Sequence, residues 1–190
     1  MPRAGLDPTA VVAAAAALAD EIGFANLTMG LVAERVGVRT PSLYKHIAGQ
    51  DDLNRRIAIL AATESADVVG QAVQGVAGRD ALFAAARAFR EYVVTHPGRY
   101  AATVGVENDG ADSPLTQAAN RLLAPLRAVV RAYDIDEEQE VHALRTLRSL
   151  LHGYATLEAG RGFQWATDVN ESFDWAIDLM DRGLRGMART

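Results

Sequence analysis

The stretch Leu27–Leu53, LTMGLVAERVGVRTPSLYKHIAGQDDL, constrains this chain more than any other. Thr28 stands where a side-chain oxygen accepts from a free amide at a helix start. Leu31, Val32 and Val36 then form one apolar face at helical spacing, with Glu34 and Arg35 pointing outward. Gly37 suits the left-handed residue that closes a helix. Val38 fills the crevice that follows, and Arg39-Thr40-Pro41 restarts the chain, with Thr40 as cap and Pro41 at the first helical position. Only Leu43 and Ile47 of the second segment face inward. The pattern predicts two short helices over about 28–36 and 40–46, joined by a tight turn. Ser42, Tyr44, Lys45 and His46 are left for something outside the fold.

A short, exposed helix rich in hydroxyls and bases, braced by another helix, is a way of presenting side chains to the DNA major groove. Residues Val32 to His46, VAERVGVRTPSLYKH, resemble the helix-turn-helix of TetR-family transcriptional regulators. The likeness extends back through Asp7–Thr28 and forward through Leu53. A second, independent likeness lies further on: Leu151-His152-Gly153-Tyr154-Ala155-Thr156-Leu157-Glu158, then Gly162-Phe163 and Glu171-Ser172-Phe173. It is similar to a class of C-terminal ligand-binding and dimerisation domain in that family, marked by a His-Gly motif.

The resemblance implies an all-α protein of about nine helices. Residues 1–48 would form a three-helix DNA-binding domain and residues 49–190 a helical ligand-binding and dimerisation domain. It also implies three partners: a double-stranded DNA operator, a second copy of the chain, and a small-molecule effector that releases a repressor from DNA. Lys45 would meet phosphate as a point charge, and Tyr44 and His46 would donate hydrogen bonds to phosphate. Thr40, Pro41 and Ser42 would face base edges or thymine methyls. Thr28 would hold a phosphate with its hydroxyl and amide. Arg3 and Arg39 would add charge on the same side. The chain departs from the family pattern at Gln50, where Lys is common, at Ile47, where Phe is common, and at Gly30, where Arg is frequent.

The net charge of −5 runs against a simple nucleic-acid reading, so its distribution matters. Residues 1–56 hold six basic and six acidic side chains, which places the acidic excess in the remainder. A neutral head binds DNA if its bases face one way, with modest steering and with dimerisation doubling the phosphate contacts. The absence of cysteine removes disulfides, thiolate metal sites and cysteine nucleophiles, and fits a reducing cytoplasm. Ala10–Ala19 imitates a targeting signal but is too short to span a bilayer. Asp7-Pro8 ahead of it, as cap and first-turn proline, makes it a first helix over about 7–23.

Beyond the head, Gln50–Val76 reads as a long connecting helix begun by Asp51-Asp52 and broken by Gly75 and Gly78. Asp80–Thr95 carries Leu82, Ala86, Phe89 and Val93 in one stripe, ended by His96-Pro97-Gly98. A short helix over Tyr100–Val106, a loop at Glu107–Ser113, and a helix opened by Ser113-Pro114 and kinked at Pro125 follow. Two more run over about 136–160 and 169–187. In the first of these, Val141, Ala143, Leu144, Leu147, Leu150, Leu151, Tyr154, Ala155 and Leu157 span an arc of roughly 200°, twice the stripe an ordinary surface helix needs. In the second, Phe173, Ile177, Met180, Leu184 and Met187 recur at spacings of four and three, as in a packing seam. Leu150, Leu157, Phe173, Ile177, Met180 and Leu184 are therefore the expected dimer contacts. A thick monomer core is the alternative.

Phe89, Tyr92, Tyr100, Leu122, Leu126, Leu147, Leu151 and Tyr154 would surround an effector pocket, apolar with a few polar groups; a sealed core would use the same residues. Phe163 and Trp165 would close one side. His152 falls beside Arg145 and Arg148 and serves pocket, dimer or packing. Glu158 lies inside the apolar arc, so it must find a donor, turn to solvent or stay protonated. His46, His96, His142 and His152 form no metal cluster, and Glu138 and His142 at four-residue spacing read as an ion pair. Neither a Ser-His-Asp arrangement nor a phosphate-cradling glycine loop is present, so no enzyme and no cofactor are expected.

Overall fold

The computed structural model describes residues 7–106 and 110–189. Arg3 and part of the expected loop at Glu107–Ser113 lie outside them. The described residues form nine α-helices: α1 (Pro8–Ile22), α2 (Met29–Arg35), α3 (Thr40–Leu43), α4 (Gln50–Ala72), α5 (Gly78–Thr95), α6 (Pro97–Ala101), α7 (Pro114–Arg131), α8 (Glu137–Ala159) and α9 (Val169–Gly186). A 3-10 turn at Phe24–Asn26 separates α1 from α2, and a lone antiparallel bridge joins Ile135 to Ala188. The all-α expectation holds.

The chain divides into two compact units. One takes the residues up to Ala62 together with His96–Gln117; the other takes Thr63–Thr95 and Ala118 onward. The boundary expected at residue 48 thus misses part of the first unit. Its core explains why: Leu53, Ile57 and Ala58 from α4, with Ala102 and Leu115, pack with Val11, Ala15, Ala19, Val32, Leu43 and Ile47. The long helix α4 begins in one unit and ends in the other.

Most predicted boundaries fall within a residue or two of the observed ones. Asp7 caps α1 by accepting from Ala10 N at 2.7 Å, with Pro8 at the first helical position. α4 stops at Ala72, four residues early, and α5 begins at Gly78 (φ 54°) rather than Asp80. α6 occupies Pro97–Ala101 instead of Tyr100–Val106, because Pro97 opens a helix as readily as it ends one. α7 continues through Pro125.

In the second unit the stripe Leu82, Ala86, Phe89 and Val93 is buried, as its spacing predicts. Polar joints brace the helices. Glu140, buried on α8, takes Arg127 Nε at 2.7 Å and Arg131 Nε at 2.6 Å from α7. Asp181, buried on α9, accepts from the Tyr133 hydroxyl at 2.6 Å and Arg185 Nε at 3.0 Å. Burial, then the bond to Asp181, pushes the Tyr133 phenol up.

Candidate nucleic-acid interface and helical body

The helix-turn-helix is built largely by its end chemistry. Thr28 Oγ1 accepts from Leu31 N at 3.3 Å. Gln50, reaching back from α4, accepts from Met29 N at 3.1 Å through Oε1 and donates to Asn54 Oδ1 at 2.9 Å. Two of the orphan amides of α2 are satisfied this way. On sequence Gln50 counts as a missing cation; in the fold it is a cap contributed from a distant helix, and spacing within α2 gives no sign of it.

The C-terminus of α2 closes as a Schellman turn. Gly37 is left-handed at φ 71°, its N–H donates to Glu34 O at 3.1 Å, and Val38 N donates to Ala33 O at 2.9 Å. α3 starts one residue earlier than the pattern predicts: Arg39 is the N-cap, with no side-chain capping bond, and Thr40 and Pro41 are the first two helical residues. Only Thr40–Leu43 is regular helix; residues 44–46 continue as turn, with His46 N and Ile47 N both donating to Leu43 O. Leu43 and Ile47 are fully buried, as expected from their spacing. Leu31 is the exception on α2, exposed where spacing predicts an inward apolar residue; Met29, Val32 and Ala33 carry that face instead.

Each of the expected DNA-facing residues from Thr28 to His46 keeps some surface, and Thr28 is exposed. Arg39, Pro41 and Lys45 are exposed, Tyr44 keeps 56% of its surface, and Thr40, Ser42 and His46 are half-buried. Arg35, outward on α2, is paired with Glu21 of α1. After the turn, Ala48 N donates to Asp52 Oδ2 at 2.9 Å, and Asp52 Oδ1 takes Arg56 Nε at 2.9 Å. The Arg56 hydrogen bond, foremost, and that from Ala48 hold the Asp52 carboxyl below its ordinary range.

In the second unit, Phe89, Tyr92, Leu126, Leu147 and Leu151 are buried, and Leu122 and Tyr154 are half-buried. Tyr100 belongs to the first unit. Tyr92 donates its hydroxyl to Glu64 Oε2 of α4 at 2.9 Å, and the neighbouring Ser65 is buried. The Tyr154 ring lies tilted 4.8 Å from Phe163 and edge-to-face 5.1 Å from Phe173, centroid to centroid. Glu158 finds its donor: Arg90 of α5 binds it through two bonds of 2.5 and 2.7 Å and lies over the Phe173 ring at 4.7 Å. That pairing, above all its hydrogen bonds, raises the Arg90 pKa. Trp165, expected to close one side of the pocket, is 90% exposed. A separate open cleft of about 560 Å³ lies between α5 and α9, with Phe83 and Trp175 flanked by Arg79, Arg87, Asp174 and Asp178. None of the expected pocket residues lines it.

The seam expected on α9 turns inward. Phe173, Ile177 and Leu184 are buried within the single chain, so they have no surface to offer a partner. Leu150 and Met180 are half-buried, and Leu157 is 52% exposed. Trp175 and Leu179 on α9 are exposed instead. Among the described residues no group of three or more His, Cys, Asp or Glu side chains is arranged to hold a metal. No helix described is long and apolar enough to cross a membrane.

Comparison with known proteins agrees over both units. Residues 11–57 match the family model for bacterial regulatory proteins of the tetR family, and residues 82–180 match the tetracyclin repressor-like C-terminal domain. The chain is 31% identical to the HTH-type transcriptional regulator YobS of Bacillus subtilis, over 96% of this chain and 95% of that one. It is 34% identical to the HTH-type regulator Rv0681 of Mycobacterium tuberculosis, over 98% and 84%. The chain belongs to the TetR family. It is a DNA-binding transcriptional regulator, not an enzyme.

Solved structures share the fold of this TetR-family chain. A Rhodococcus sp. RHA1 protein of unknown function superimposes with a TM-score of 0.81 at 23% identity, covering 97% of this chain and 99% of that one. BioQ with its double-stranded DNA operator gives 0.71 at 23% identity, over 95% and 99%. A single-residue variant of TetR from Acinetobacter baumannii AYE, in complex with minocycline, gives 0.73 at 22% identity, over 98% and 100%.

Proposed function

We propose that this regulator is a homodimeric repressor, acting in the cytoplasm, that a small-molecule effector releases from its operator. Lys45, Tyr44, His46, Arg39 and Thr28 hold phosphate, while Thr40, Pro41 and Ser42 read base edges. The observation that carries this assignment is the contrast inside α3 and its following turn: Leu43 and Ile47 are buried, and the polar residues between and around them are left at the surface. BioQ, of the same fold, is known with a DNA operator bound.

A second copy is favoured by the outer faces of α8 and α9. Leu157, Trp175 and Leu179 are exposed there, and Leu150 and Met180 are half-buried. Gly153 and Gly183 share those faces, and apart from their own helical turns nothing in the chain lies within 4 Å of where a Cβ would stand. A mid-helix glycine costs about 1 kcal/mol relative to alanine, and no intrachain contact calls for it. Close approach of a partner helix would. The same Gly153, preceded by half-buried His152, supports assignment of the body to the His-Gly class.

The effector site is placed around Phe89, Tyr92, Leu122, Leu126, Leu147, Leu151 and Tyr154, with Tyr92–Glu64 as its polar element. Support comes from the apolar lining with few polar groups and from the minocycline complex of a protein of the same fold. Release requires the effector to bind the DNA-incompetent state more tightly. Compounds that raise the unfolding midpoint should be added at saturation to a regulator–DNA complex. A fall in DNA affinity of about 5- to 150-fold is expected for a coupling of ordinary size. Unchanged affinity at saturation would remove the effector from the mechanism.

A further inference from the structure

We infer that α6 is a supporting wall of the DNA-reading unit, and that Asp20 and Gly98 are positioning residues for the recognition surface. The joint is made where the end of α1 meets the start of α6. A Cβ on Gly98 would overlap the Ala19 carbonyl and stand 2.5 Å from Asp20 N, so the two backbones touch with no room for a side chain. Asp20, whose side chain is 13% exposed, gathers the start of α6 around its carboxylate. Its Oδ1 accepts from Arg99 N at 2.8 Å, and its Oδ2 meets Arg99 Nε at 2.9 Å and His96 Nδ1 at 3.3 Å. A backbone hydrogen bond and a side-chain ion pair from one residue, Arg99, tie the start of α6 to the end of α1.

The influence of this joint on DNA passes through packing within one unit. Val11, Val12, Ala15 and Ala19 of α1 lie in the same buried cluster as Val32 of α2 and Leu43 of α3, and Ala102 at the end of α6 joins them. Moving α6 therefore moves the support on which Leu43 sits, two residues from Lys45. The cluster is close-packed, so a displacement is passed on rather than absorbed. Neither residue reaches the surface that Thr40–His46 presents, and neither is expected to touch DNA. This inference rests on that stretch being the reading surface.

The test uses the full chain and two duplexes: one selected by the wild-type chain from a randomised pool, and a scrambled duplex of equal length and composition. The ratio of the two affinities is measured for wild type, Gly98→Ala and Asp20→Asn. A positioning role predicts a ratio about tenfold lower in Gly98→Ala, within the usual range of coupling between sites, and a smaller fall in Asp20→Asn. The isosteric Asp20→Asn carries the test if Gly98→Ala does not fold. Both tryptophans, Trp165 and Trp175, lie in the other unit, so the fluorescence of the folded variants should match that of wild type. A merely structural role would reduce the active fraction, lowering both apparent affinities equally; an unchanged ratio in the folded variants overturns the inference. A wild-type chain that selects no duplex would overturn the reading surface itself, and this inference with it.

Discussion

The recognition surface and the α8–α9 pair bury their side chains by opposite rules. Around α3, apolar groups go in and polar ones stay out: Leu43 and Ile47 are fully buried, while Tyr44, Lys45 and Arg39 remain exposed. On α8 and α9 there is more apolar surface than one chain can cover. Phe173, Ile177, Leu147 and Leu151 fill the interior, and Leu157, Trp175 and Leu179 are still outside. A surface left polar over a rigid support suits a charged, hydrated partner such as DNA. A surface left apolar after the core is complete suits another protein.

That contrast can be broken by substitution, beginning with the largest effect. Tyr44→Ala/Lys45→Ala should cost at least about a hundredfold in affinity for a selected duplex, since a hydrogen bond to a charged group contributes about 1.5–3 kcal/mol and a dimer would lose each contact twice. Competition titration reads this directly, and the unfolding midpoint should hold. Phe173→Ala should do the reverse, lowering stability by about 3–5 kcal/mol, as for a large core truncation. Denaturant unfolding would show it. A neutral outcome would mean that Phe173 is not part of the chain's own core. Trp175→Glu/Leu179→Glu should leave each chain folded but weaken self-association by at least about tenfold, as expected for charge placed in an interface centre; sedimentation velocity over a concentration series measures it.

How much of this is legible in the sequence depends on how local the cause is. The caps at Asp7 and Thr28, the left-handed Gly37 and the inward pair Leu43 and Ile47 all follow from neighbours in sequence, and the structure keeps them. On α9 three of the five residues at seam spacing, Phe173, Ile177 and Leu184, are buried in the chain's own core, because periodicity marks an apolar face without saying what covers it. Gln50 capping α2, Arg90 pairing with Glu158 and Asp20 holding α6 all join residues far apart in the chain. A stretch such as His96-Pro97-Gly98 reads as punctuation on its own. Its glycine is explained only by the backbone it lies against.

Smaller effects sharpen the account of the head. Gln50→Ala removes a cap and should cost about 1 kcal/mol, visible as faster amide exchange at Met29. Asp52 provides a pH test with a definite sign. Its folded-state pKa is depressed, first by Arg56, so its contribution is complete above the unfolded carboxylate value near 3.8 and is lost as pH falls through the lower folded value. Asp52→Asn should therefore lower stability at neutral pH, leave it unchanged in strong acid, and flatten the acid limb of unfolding in that window.

The central claim is that Thr40–His46 reads DNA. It is tested most directly by fluorescence anisotropy with DNA from upstream of the chain's own gene, across a salt series, comparing wild type, Lys45→Ala and Ser42→Ala. Tight, salt-sensitive binding is expected. Lys45→Ala should weaken all duplexes alike and reduce the salt slope by about one unit per head, while Ser42→Ala should change the preference among duplexes. Two variants that behave identically, or that both bind as wild type does, would contradict it.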